Sequence, residues 1–433
     1  MRDDRQRGGA PHSHSHAHSH DHGDLPAAPR RTVRLTAAVL VPAALCTILA
    51  MIMLWPRGAE PAPDSPDAPR VAGQVLAIGL TPCPLPPGGG AASPSAPTRC
   101  GTVTVRLADG KVVTTDIPGG PGAPHVEGGD RVILIYLEDA MSGTPYQIVD
   151  HDRGRALWML AAAFALAVIA FGRWRGLAAL AGLAVTFGVL LLFVVPAILD
   201  GASPLLVAIV GAAAVMLVVL YLTHGLSVTT SMAVLGTLVS LVLTGLLSAG
   251  ATAVTELTGV SSEEASFLTL SFPDVNMHGL LLAGILIGSL GVLDDVTVTQ
   301  AYTVRELAHA NPGLGFTDLY RRAARVGRAH IASVINTIIL AYAGASLPLL
   351  LLIAAGNRPL GEVLTNQLIA GEIVRSIVGT VGLIAAVPIT TALAALAIRG
   401  GTPPPAVRRP RRPDRLELAW DLDDSGASAV RHP

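Results

Sequence analysis

Eight stretches of this 433-residue chain are apolar over most of a membrane's thickness, and no other feature limits the fold so strongly. Runs of about 18 or more apolar, uncharged residues are too long and uniform for soluble core helices, so they read as membrane spans. The stretches are Leu35–Trp55, Ala156–Phe171, Leu177–Leu199, Pro204–Leu222, Ser227–Gly250, Met277–Val296, His330–Ala355 and Ser376–Ile398. Only 14% of the residues are charged, and Lys111 is the single lysine, so arginine carries the positive charge. The expected class is mainly α: a polytopic transmembrane helical bundle of about eight spans with a small extracytoplasmic β domain after the first.

Arginine placement sets the expected orientation, because short cytoplasmic loops carry the positive charge. Arg173 and Arg175 share one loop, Arg305, Arg321, Arg322, Arg325 and Arg328 another, and Arg399, Arg408, Arg409, Arg411, Arg412 and Arg415 lie in the C-terminal tail. All fall on one side of an eight-span chain. The segment 251–276 on the other side has no arginine and carries Glu256, Glu263, Glu264 and Asp274. Arg57, Arg153, Arg155, Arg358 and Arg375 are the exceptions. The reading is a multi-pass cell-membrane protein with both termini cytoplasmic and residues 56–155 extracytoplasmic. The lipid bilayer is its first partner, with a homo-oligomer or membrane-protein partner as further expectations. No nucleic-acid partner is expected.

Residues 1–34 form a His-rich tail in which His12, His14, His16, His18, His20 and His22 alternate with other residues. Several imidazoles on one such segment can share an ion, which gives weak metal binding; the alternative is a low-complexity solubilising tail. No other cofactor is expected. Residues 35–55 read as an uncleaved signal anchor, and 399–433 as an Arg-rich tail. Between anchor and bundle, residues 56–155 contain period-2 stretches such as TVTVRLADGKVVTTDI and DRVILIYLED, with Asp109-Gly110 as a hairpin signal. They predict a small OB-like β-barrel or meander. Cys83 and Cys100 flank a Pro/Gly-rich loop there, as a disulfide or as two free thiols.

Residues 156–398 form the membrane domain, with three polar groups. In GVLDDVTVTQA, Asp294 and Asp295 stand where an apolar run should end, and a carboxylate at bilayer depth points to function. Gly284, Gly288, Gly291, Asp295 and Thr299 recur at helical spacing, so the sequence predicts that Asp295 points into a helix–helix seam. Asp295 is then a proton or cation site, or else both acids are hydrated at the interface. Ser333, Asn336 and Thr337 form a second patch, expected to approach Asp295 or to serve as interhelical glue. Glu372 and Arg375 at i,i+3 form the third, as an ion pair or the mouth of a pathway. In the loop before them, Ser261-x-x-Glu264 predicts a capped short helix that ends at Pro273.

The segments VTVRLADG through GDRVILIY, THGLSVTTSMAVLGTL, GVLDDVTVTQA, GRAHIASVINTIILAYAGASLPLLL and GEIVRSIVGTVGLIAAVPIT together resemble the YibE/F family of bacterial multi-pass membrane proteins, over residues 71–398. The resemblance implies the architecture and suggests transport. The expected function is a permease or exporter of a small solute or ion that uses an intramembrane carboxylate. The alternative is a non-transporting scaffold or assembly factor whose β domain binds a partner. An enzyme is not expected: the His-Glu-x-x-His, Walker A and Gly-x-Ser-x-Gly patterns are absent, and both acids lie on one helix.

Overall fold

The computed structural model describes residues 30–58, 69–83, 100–119, 122–137, 144–356 and 359–399. The His-rich tail, the C-terminal tail and most of the Cys83–Cys100 loop lie outside the described residues.

Helix α1, Arg30–Met53, is followed by a five-stranded antiparallel sheet: β1 Arg70–Thr81, β2 Cys100–Leu107, β3 Val112–Asp116, β4 Arg131–Tyr136 and β5 Tyr146–His151. The strand order is β3-β2-β1-β4-β5. In β2, Val103, Val105 and Leu107 face the core while Thr102, Thr104 and Arg106 do not, the alternation of a half-buried strand. With Val75, Val113, Val132, Leu134 and Ile148 they form one small core. The β2–β3 turn follows its sequence signal: Gly110 adopts φ 88°, and Asp109 Oδ1 accepts from the Lys111 amide at 2.9 Å. The sheet curls until its outer strands approach, and the Thr115 hydroxyl on β3 donates to the Tyr146 carbonyl on β5 at 2.5 Å. Cys83 and Cys100 are disulfide-bonded, joining the segment after β1 to the first residue of β2.

The remaining helices are α2 Gly154–Val189, α3 Val195–Leu199, α4 Pro204–His224, α5 Val228–Val254, α6 Glu263–Ser271, α7 Met277–Ala310, α8 Phe316–Ala345, α9 Leu347–Ala355, α10 Leu360–Leu364 and α11 Gln367–Arg399. Among the described residues, seven helices are long and apolar enough to cross a membrane, and the continuous run 154–199 counts as one of them. Two of the expected spans lie within that run. The backbone breaks between them at Arg173 (φ 49°, ψ −125°), and Gly176 then sits so close to Val168 that a Cβ would stand 2.3 Å from the Val168 carbonyl oxygen. A single π turn, Leu190–Val194, precedes Pro196, which has no N–H to continue the α-helical ladder.

Helices α7 and α8 are longer than their apolar runs predict. The polar stretch 297–329 is almost entirely helical, because Leu319, Ala323, Gly327 and Ile331 recur every four residues and bury one stripe of α8. The expected span 330–355 is divided at Ser346, just before Pro348. The cap of α6 also shifts by one residue. Ser262, rather than Ser261, accepts from Ala265 N at 3.2 Å, which puts Glu264 inside the first turn.

Helices α5, α7 and α11 pack as the centre of the bundle, with α4 and α8 against α7 and α1 against α4 and α5. The Thr32 hydroxyl at the start of α1 bonds to the Ala397 carbonyl near the end of α11, at 3.3 Å, so these two ends lie together. At the other end, Arg57 N donates to Asp200 Oδ2 at 2.8 Å.

Candidate functional site

The polar chemistry of the membrane region gathers where α5, α7 and α11 meet. Helix α5 starts cleanly because Gly225 (φ 74°) ends α4 and Ser227 caps the next helix, accepting from Thr230 N at 3.0 Å. Along α5, Thr237, Ser240, Thr244, Ser248 and Thr252 recur every three or four residues, and all are fully buried. Small side chains let the helices close up. A Cβ on Gly382 of α11 would stand 2.1 Å from Thr244 Oγ1, and one on Gly236 of α5 would stand 2.2 Å from Thr390 Oγ1. Glycine is required at both positions.

Two side-chain links tie α7 into this centre. The Thr297 and Thr237 hydroxyl oxygens are 2.6 Å apart. Gln300, only 3% exposed, donates to the Ala323 carbonyl of α8 at 3.0 Å and to Thr391 Oγ1 of α11 at 2.7 Å. One amide thereby joins three helices.

The two acids sit one turn before these links. Asp294 is half-buried, and its Oδ1 is shut away from the surface with no hydrogen-bond partner among the described residues. Its backbone carbonyl accepts from the Thr297 hydroxyl at 3.1 Å. Asp295 is exposed, which differs from the sequence expectation of a seam. Gly284, Gly288, Gly291 and Thr299 are exposed on the same face, and nothing stands within 4 Å of a Cβ built on Gly284 or Gly291. The physical reason is apolar area: Leu282, Leu286, Leu293 and Val296 lie on the opposite side and bury far more surface than glycines can. Near Asp295, the His224 ring lies 6.0 Å from that of Tyr302, and the Arg305 guanidinium stands 5.8 Å from the Tyr302 ring.

Ser333 and Asn336 are not brought to Asp295. With Thr337 they lie on the exposed side of α8, because the buried stripe ends at Ile331 and Asn336 is roughly 140° round the helix from it. Glu372 and Arg375 do pair, at 3.1 Å, both about one-third exposed. Beside them, Gln367 bonds to Thr258, and Asn366 Oδ1 accepts from the Leu368 amide at 3.0 Å. A narrow cleft, about 10 Å³ and so room for about one water, lies between α7, α8 and α11, lined by Gly288, Ser289, Tyr342 and Gly379 among others. No cluster of three or more His, Cys, Asp or Glu side chains placed to hold a metal occurs among the described residues. His12 to His22 lie outside them.

The hydroxyl ladder of α5, Gln300 and Thr390–Thr391 were missed by the sequence reading. A signal was present, since Thr237, Ser240, Thr244, Ser248 and Thr252 share one helical face. Hydroxyls cost little in an apolar run, however, so such a face does not stand out from the apolar residues around it.

A bundle of long apolar helices with a hydroxyl-lined centre and a half-buried carboxylate defines a multi-helix membrane protein. The family model for YibE/F-like proteins matches residues 160–400, and the chain belongs to that family. The matched region runs from α2 to the end of α11 and leaves out the β sheet. No curated protein and no solved structure matches the chain.

Proposed function

We propose that this protein is a permease or exporter of a small solute or ion in the cell membrane, with Asp294 as the carboxylate that couples its movement. The observation that carries this reading is the buried, unpartnered Oδ1 of Asp294. A carboxylate oxygen held out of water without a donor is costly, and such groups in membranes mark proton or ion sites. Asp295, exposed one residue on, then serves as the entrance group, with His224 and Tyr302 nearby. The site expected at Asp295 is thus moved to its neighbour.

Orientation and span number belong to the same proposal. Arg173, Arg175, Arg305 and the arginines of α8 support a cytoplasmic face at the end where α1 begins and α11 finishes, and the break at Arg173 supports two spans within residues 154–199. Residues 56–155 would then be extracytoplasmic, which suits the Cys83–Cys100 bond. The strand order, with β3 and β5 approaching, supports an OB-like barrel.

The test is flux through purified protein in proteoliposomes carrying an internal pH dye, with sodium, potassium or ammonium gradients imposed in turn. The expected result is gradient-driven proton movement that Asp294→Asn abolishes and Asp295→Asn reduces. An Asp294→Asn protein as active as the parent would remove the coupling role.

The scaffold reading rests on one observation, the small OB-like sheet with a disulfide-anchored loop beside β1 and β2, since such folds commonly present ligand-binding loops. Its test is site-specific crosslinking from residues 100–116. Capture of one defined membrane protein, together with absence of flux, would favour it.

A further inference from the structure

The seam between α5, α7 and α11 carries buried hydroxyls that, like other helical Ser and Thr of this chain, spend their protons on their own backbone. Hydroxyls that hold membrane helices together bond across the interface. Here Ser240 donates to Gly236 O at 2.7 Å, and Thr244, Ser248 and Thr252 each donate to the carbonyl four residues back at 2.8 Å. Ser289 of α7 does the same with Ile285 O at 2.7 Å, and Thr391 of α11 with Val387 O at 2.6 Å. A hydroxyl has one proton and two acceptor lone pairs, so these groups keep only acceptor capacity for whatever lies beside them. Thr237 differs, its oxygen meeting that of Thr297 across the seam at 2.6 Å, and Thr390 is the second observation. It is fully buried, its Oγ1 has no partner among the described residues, and it faces Gly236 across the seam.

From Thr237 to Thr252 the buried ladder spans roughly 22 Å along α5, most of the depth of a bilayer's hydrocarbon core. Its side chains are uncharged. Asp294 and Asp295 lie on α7 one turn before Thr297, the partner of Thr237, and so level with the first turn of the ladder, while Glu372 stands past its other end on α11, paired with Arg375. A row of oxygens with committed protons coordinates cations and accepts from water, and it repels anions.

We propose that this seam is the closed conduction path of the permease described above, and that it admits small cations with their water in preference to anions. The inference rests on that reading. Opening requires α11 to move off α5, and the contacts of Gly382 with Thr244 and of Gly236 with Thr390 are the ones that must part.

The experiment uses full-length protein in membrane vesicles, with Cys46→Ala to remove the free thiol and Cys83–Cys100 left bonded. Ser240→Cys, Ser248→Cys and Ser289→Cys are introduced singly, each nearly isosteric and therefore mild to folding. Each is treated with a cationic trimethylammonioethyl methanethiosulfonate and with its anionic sulfonatoethyl counterpart, under a sodium or a proton gradient. Labelling after unfolding in detergent confirms that the thiol is present. The expected result is labelling at all three positions, about tenfold faster with the cation once rates are referred to a free thiol. Thiols that react only after unfolding would overturn the path, and equal rates with both reagents would overturn the cation preference. Silent seam thiols in a protein that still moves ions in proteoliposomes would put the path elsewhere and leave the permease reading intact. Labelled thiols without flux would support the water-filled seam and remove that reading.

Discussion

Gln300 on α7 donates to Thr391 on α11 at 2.7 Å and, through the same amide nitrogen, to the Ala323 carbonyl on α8 at 3.0 Å. A Cβ on Gly327 would stand 2.6 Å from Gln300 Oε1, so α8 reaches this side-chain amide only because residue 327 lacks one. Replacing Gln300 with Leu keeps the bulk and removes both bonds. The expected loss is about 1–2 kcal/mol of helix-packing stability, read from unfolding of the purified protein in mixed micelles. Unchanged stability would mean that the amide contributes no net energy.

Gly382→Ala places a methyl against Thr244, whose oxygen would be 2.1 Å away. The expected cost is about 1–3 kcal/mol, in the range for overpacked cores. Thr244→Ala in the same chain should recover part of it, because the hydroxyl and its methyl partner are gone. A double-mutant cycle measures that coupling, and strict additivity would show that the two helices do not meet there.

Opening the Cys83–Cys100 bond, by Cys83→Ser with Cys100→Ser, frees a loop with a sequence separation of 17. The chain-entropy model puts the loss for the sheet at roughly 3 kcal/mol. Limited proteolysis of the full-length protein, with and without the substitutions, should show residues 70–151 cut at lower denaturant while the helices are unaffected.

At the junction of β5 and α2, Arg153 donates both to Asp150 Oδ1, at 2.8 Å, and to Oδ2, at 2.7 Å. The Arg153 hydrogen bond, then the His151 amide, hold the Asp150 carboxyl below its ordinary value of 3.8. A depressed folded-state value means that the contribution is present above that ordinary value and is lost as pH falls through the lower, folded one. Amide exchange at His151–Gly154 should therefore stay slow down to about pH 4 and quicken below it, and Asp150→Asn should flatten the profile.

The architecture was legible to different depths for physical reasons. Apolar runs expose spans directly, because every residue in lipid must satisfy the same solvent; hence α4 and α5 begin within one residue of their expected starts. Extensions such as 297–329 were hidden, since an amphipathic helix beyond the membrane looks locally like a polar loop. The facing of Asp295 could not be read from spacing alone. Helical periodicity says which residues share a side, as Gly284, Gly288, Gly291 and Asp295 do, and not which side the rest of the chain covers. The pairing of Glu372 with Arg375 was legible because it lies within a single turn, whereas Gln300 meets Thr391 across 91 positions.

The self-bonded hydroxyls of α5 bear on how the protein is made. Synthesis delivers α5 long before α11, so the helix must reside in lipid without its eventual neighbour. A ladder whose protons already rest on its own carbonyls can do so with no orphaned donors, and it needs no shelter while the ribosome completes the chain. The latch between Thr32 and Ala397, 365 positions apart, can form only when the last helix has arrived. Packing of the first helix against α4 and α5 can precede that contact, which closes the bundle last.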